Sequence, residues 1–143
     1  MTQLCKVQVV YLAGGMRGNW QDKAKEFVKK NFHGPVMFMD PREHGSLDEA
    51  VYTSWDLAGV EAADIVFAYL ERDNPSGYGL ALEIGFAVGM ARAGAPKKEI
   101  IFVEEHDHPA HRYFGMARAC SDSVHADLSS GLSSLVDVLE HNL

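Results

Sequence analysis

The chain has 143 residues, enough for a single domain spanning 1–143 with a core that needs no staples. A net charge of −7 argues against a nucleic-acid polymer or an anionic membrane as the main partner, though one small anion held by an arginine remains compatible. Cys5 and Cys120 form no metal or redox motif, there is no signal-peptide pattern, and no apolar run approaches the roughly 20 residues that span a bilayer, so a cytoplasmic protein is expected.

Lys6 to Leu12 is β-branched and apolar and predicts a buried strand. Ala13 to Asn19 is a glycine-rich loop. Trp20 to Asn31 predicts a helix with Trp20, Ala24, Phe27 and Val28 on one face and lysines on the other. Val36 to Met39 predicts a second strand, ended by Asp40-Pro41-Arg42. Leu47 to Ala63 predicts a helical stretch broken near Thr53-Ser54, and Ile65 to Leu70 a third strand. A Pro75-Ser76-Gly77 turn then leads into a helix rich in small residues, which Gly94-Ala95-Pro96 stops. Ile100 to Val103 predicts a fourth strand and Glu104 to His111 a polar loop. A short helix over Tyr113 to Ala119, a weak strand at Ser123 to Ala126 and a helix over Leu128 to Leu139 complete the chain.

Strands alternate with helices, which predicts a parallel sheet covered on both faces. Five strands suggest an α/β, flavodoxin-like three-layer sandwich with strand order 2-1-3-4-5. In that order the first and third strands are neighbours at the switch point. The glycine loop and the Pro-Ser-Gly turn follow those two strands, so both features reach one crevice beyond the carboxyl ends of the strands.

Glu83 is the only charge between Asn74 and Ala91. No Lys or Arg stands three or four places away to pair with it, and Leu82 and Ile84 flank it. A carboxylate in such apolar surroundings is costly unless it is paired or used. The alternative, a glutamate on a wet helix face, has few other polar residues here with which to build that face. The glycine loop has several readings. Ala13, Gly15 and Gly18 nearly match a dinucleotide fingerprint, with Asp40 where a ribose-binding acid would stand, but the first glycine is missing and the chain has one nucleotide-binding half. The loop lacks the Ser and Thr of a flavodoxin phosphate loop and the paired acids of a phospho-receiver. A backbone cradle for a sugar or phosphate, with Arg17 as its charge, and a plain tight turn with a surface arginine both stay open. His106, His108 and His111 share a loop with Glu104, Glu105 and Asp107, and read more simply as solvated than as a metal site.

Tyr11 to Gly18, Asp56 ahead of Ala63 to Ala68, and Ser76 to Ala87 together resemble the nucleoside 2-deoxyribosyltransferase family, whose superfamily also holds 2'-deoxynucleoside 5'-monophosphate N-glycosidases. The similarity runs along nearly the whole chain and is most specific around Tyr11 and Glu83. It implies that Glu83 attacks the anomeric carbon and expels the base, that Tyr11 hydrogen-bonds Glu83, and that Asp56 assists proton transfer at the base. The expected substrate-binding groups are Gly14, Gly15, Arg17, Asp40, Ser76, Gly77 and Gly79. The resemblance implies a deoxynucleoside or deoxynucleotide and a free nucleobase as small-molecule partners, no metal or organic cofactor, and a homodimer or larger assembly. Three positions depart from the pattern: Gly77 where many transferases carry an acid, and Gly15 and Phe114 where the monophosphate hydrolases use serines.

Overall fold

The computed structural model describes residues 5–143. Five strands form one sheet: β1 (Gln8–Gly14), β2 (Val36–Met39), β3 (Ile65–Leu70), β4 (Glu99–Glu104) and β5 (Ser123–His125). All pairings are parallel and the order is β2-β1-β3-β4-β5, a flavodoxin-like α/β arrangement. Five helices cover it: α1 (Trp20–Asn31), α2 (Glu49–Ala62), α3 (Tyr78–Arg92), α4 (Gly115–Cys120) and α5 (Leu128–His141). None is long and apolar enough to cross a membrane among the described residues.

Residues alternate between two apolar layers, as the pleat requires. Val10, Leu12, Ile65, Phe67, Ile101 and Val103 pack against α1 and α5. Tyr11, Ala13, Val66, Ala68, Leu70 and Phe102 face the opposite way, toward residues of α2, α3 and α4. Each fully buried Leu, Ile or Phe contributes about 1.5–3 kcal/mol by leaving water. The alternation also places the Tyr11 side chain on the same face of the sheet as α3.

Several boundaries differ from the sequence expectation. β1 starts at Gln8, where pairing with Val36 begins, and continues through Gly14 because β3 pairs with it as far as Tyr69. Ala13 and Gly14 therefore belong to the strand and not to the loop. The expected break at Thr53-Ser54 is absent. Both residues lie on the exposed face of α2, where their hydroxyls need not compete with the helix, and Asp48 caps its start by accepting from Val51 N at 3.1 Å. Glu104 is the last residue of β4 and is buried, not part of a wet loop.

Candidate active site

A cleft of about 580 Å³ opens at the carboxyl ends of β1 and β3, beside the start of α3. Gly14, Gly15, Met16 and Arg17 form one wall. Asn74 to Leu80 form a second wall, which meets the first where Asn74 approaches Gly15, and Asp56 and Glu83 complete the lining. Gly14, Gly15, Arg17, Ser76, Gly77 and Gly79 thus share one cleft with Glu83 and Asp56.

The glycine loop is anchored from below. Trp20 Nε1 and Gln21 Nε2 both donate to the Gly15 carbonyl, at 2.9 and 3.0 Å. Gln21 is fully buried on a helix face that is otherwise apolar, and a polar residue out of pattern there is a signal visible in the sequence. The second wall is anchored by His108. Its Nδ1 accepts from Ala110 N at 3.0 Å, which places the proton on Nε2, and Nε2 donates to the Asn74 carbonyl at 3.0 Å. His108 is 4% exposed and so is not part of a solvated loop. Gly77 caps α3 at φ +67°, and a Cβ there would come within 2.6 Å of Leu70 Cδ1 and 2.9 Å of Phe114 Cζ. Only glycine fits both the backbone and the space.

Tyr11 lies beneath the cleft, completely buried. Its ring rests on α2 at Gly59, where a Cβ would stand 2.9 Å from two of the ring carbons. Gly59 follows Asp56 by three residues, so the helix face that delivers Asp56 also makes room for Tyr11. No sequence signal ties Gly59 to Tyr11 until the crossing of α2 over β1 is known.

Tyr11 Oη, Asp56 Oδ1 and Glu83 Oε2 are buried oxygens without a hydrogen-bond partner. They lie within electrostatic reach of one another. Tyr11 Oη stands beside the Glu83 carboxyl close enough to favour its ionised form, yet not in regular hydrogen-bond geometry. Desolvation dominates Glu83. Burial, helped by the Asp56 charge, pushes its carboxyl up to about 8 against the pull of Tyr11. Burial also raises Asp56, opposed by His44. Burial and then Glu83 hold the Tyr11 phenol well above its ordinary value, so it remains a donor. His44 itself is stacked on Tyr52 at 5.8 Å and meets Trp55 edge-on at 6.0 Å.

Asp40 does not line the cleft. It is fully buried, with ion pairs to Lys25 at 2.9 Å and Arg42 at 2.6 Å, and it accepts from Arg42 N at the start of the 3-10 turn Pro41–His44. Burial alone would raise its carboxyl, but the Arg42 and Lys25 hydrogen bonds bring it to about 2. A carboxylate so fully engaged serves the turn and has no lone pair directed at a ribose, which corrects its expected binding role. Phe114 is also committed elsewhere, tilted against Phe102 at 6.3 Å and edge-on to His108 at 6.1 Å.

Among the described residues, no three His, Cys, Asp or Glu side chains gather in a way that could hold a metal ion. What the cleft does hold is three carboxyls of raised proton affinity, Asp56, Glu71 and Glu83, with the Tyr11 phenol beneath it beside Glu83, which suits proton transfer and nucleophilic attack. No protein-family model matches the chain, and no curated protein matches it.

Proposed function

We propose that this protein cleaves the N-glycosidic bond of 2'-deoxynucleosides through Glu83 and passes the deoxyribosyl group to another nucleobase or to water. The observation that carries the reading is the group of three buried, unpartnered oxygens on Tyr11, Asp56 and Glu83 at one end of an open cleft. Buried polar atoms without partners call for an explanation, and a reaction site supplies one. The 2'-deoxy sugar comes from the resemblance of the Tyr11, Asp56 and Glu83 segments.

In this mechanism the Glu83 carboxylate attacks C1' of the sugar as the C1'–N bond breaks. The bond electrons leave with the base, and Asp56 gives the base its proton. The oxocarbenium-like centre collapses onto Glu83 as a glycosyl ester. An acceptor base or water then attacks C1', Asp56 takes the acceptor's proton, and Glu83 leaves as carboxylate. The Tyr11 hydroxyl orients Glu83 and stabilises its charge at both ends of the cycle. Asp56 and Glu83 need one proton between them, a state that two neighbouring carboxyls of raised affinity favour; in the free cleft Glu83 holds it, so it passes to Asp56 before Glu83 attacks.

Arg17 and the start of α3 favour a second reading, hydrolysis of deoxynucleoside 5'-monophosphates, since both attract phosphate. The nucleoside reading is preferred because the cleft wall carries Asp56, Glu71, Asp73 and Glu83 against Arg17. In addition, Gly15 and the packed Phe114 offer no hydroxyl. A non-catalytic nucleotide-binding module fits less well, because Glu83 faces the cleft and is not sealed away from it.

The deciding assay is incubation with each deoxynucleoside and its 5'-monophosphate, with and without a second free base, followed by chromatography. Release or exchange of base that is lost in Glu83→Ala is expected. No base release from any member of the panel by folded protein would overturn the proposal.

A further inference from the structure

We propose that Glu71 is the specificity residue that keeps 5'-phosphorylated substrates out of this cleft by setting a carboxylate against the glycine loop. The inference rests on the glycosidic reading for the identity of the substrate and for its orientation in the cleft.

Two features of the cleft would ordinarily collect a phosphate. The loop from Gly14 to Gly18 presents backbone and carries Arg17, and the first turn of α3 belongs to the second wall. In the proposed pose Glu83 meets C1', so C5', on the far side of the sugar ring, is set away from the reacting carboxyls and toward these features. Glu71 follows the last residue of β3 and lines the same walls. Its Oε1 lies 3.4 Å from where a Cβ of Gly18 would stand, so the carboxylate rests against the glycine loop itself. A substrate phosphate using that loop would meet this charge at short range in a partly desolvated cleft.

The surroundings of Glu71 strengthen the effect. Glu105 and Asp73 face it with like charge, and Lys23 of α1 is the cation that offsets them. Glu105 is held in place by the Tyr69 hydroxyl, which donates to its Oε2 at 2.6 Å. Glu105 is therefore fixed to the sheet and Glu71 is half-buried, whereas Arg17, the cation on the loop, is exposed. An exposed arginine contributes less than a half-buried carboxylate set against the loop. A neutral 5'-hydroxyl, by contrast, meets in Glu71 a hydrogen-bond acceptor.

The test compares each deoxynucleoside with its 5'-monophosphate on the wild type, Glu71→Gln and Glu71→Lys. The ratio of kcat/KM for monophosphate over nucleoside should rise roughly tenfold in Glu71→Gln, the scale of one like-charge pair across a partly wet cleft, and further in Glu71→Lys. In the wild type the ratio should also climb with ionic strength, and that climb should flatten in Glu71→Gln, a response that a purely structural role would not give. Calorimetric binding of the same pairs to Glu83→Gln decides the matter without turnover. If the binding ratio moves as stated while the wild type releases no base, the Glu71 inference stands and the glycosidic reading falls. An unchanged ratio in Glu71→Gln, a wild-type preference for the monophosphate, or no binding of either ligand would overturn the inference.

Discussion

Replacing the proposed nucleophile should make the protein more stable, by an amount that depends on pH. The Glu83 carboxyl ionises near 4.5 in an unfolded chain and at about 8 in the folded protein. The folded state therefore binds the extra proton between these values. Its contribution to stability is fully present below pH 4.5 and is lost as pH rises through about 8. At about 1.4 kcal/mol per pH unit, the loss is roughly 1 kcal/mol at pH 5, roughly 3 at pH 7 and roughly 4.5 at pH 8.5. Glu83→Gln keeps the shape and hydrogen-bonding capacity of the side chain but cannot ionise. Other titrating groups are common to both proteins and largely cancel in the comparison. The stability advantage of Glu83→Gln should thus grow across that range. The growth can be read from urea midpoints at the three pH values, and as a Tm difference of roughly 6–12 °C at pH 7 for a domain of this size. An advantage that stays constant between pH 5 and pH 8.5 would show that Glu83 ionises normally and is not buried as described.

Turnover of wild type should follow a bell in kcat/KM, because Asp56 and Glu83 must hold one proton between them; it should fall near pH 8, and its acid limb should lie above the ordinary aspartate range. Asp56→Asn should lower the rate at neutral pH by about 10²- to 10⁴-fold and turn the alkaline fall into a rise, with its midpoint below 8 because the Asp56 charge no longer raises Glu83; a persisting alkaline fall would refute the shared proton. Tyr11→Phe should cut kcat by about 10²-fold and move the alkaline limb upward, since the phenol is what lowers Glu83; equal losses in substrate binding and rate would argue against that role. Gly59→Ala should cost about 1–3 kcal/mol in denaturant melts, because its methyl group meets the Tyr11 ring, and should reduce kcat along with it; near-normal turnover would show that the ring position is unimportant.

The fold was legible because each strand is a short apolar run between turn signals and each helix has a face. Val10, Leu12, Ile65, Phe67, Ile101 and Val103 are recognisable from composition alone, and strict alternation then leaves few topologies. Glu83 was legible for the opposite reason, as a single charge where the pattern had no place for one. Gly59 and His108 were not. A helix glycine and a loop histidine acquire meaning only when a particular ring or a particular carbonyl arrives from elsewhere in the chain. Asp40 misled because its position at the end of β2 suits a ribose ligand, while its partners Lys25 and Arg42 come from α1 and from the turn just after it. Arg42, two residues on, was the visible warning.

The two walls of the cleft are tied to buried groups. Gly15 is held by Trp20 and Gln21, and Asn74 by His108. Glu83 stands on a helix whose Leu80, Ile84 and Ala87 are packed into the core. Little of the site can therefore relax when Glu83 loses its proton, and Oε2 of the carboxylate is buried without a hydrogen-bond partner. That fixed surrounding raises its proton affinity and weakens the folded state. It also leaves the carboxylate with few competing hydrogen bonds when an anomeric carbon arrives. The stability lost between pH 4.5 and pH 8 and the readiness to attack carbon have a common origin in the desolvation of one side chain. Substitutions that let water reach Glu83 should accordingly stabilise the protein at alkaline pH and slow it together, whereas changes to Arg17, which lies exposed on the cleft wall, should leave that balance alone.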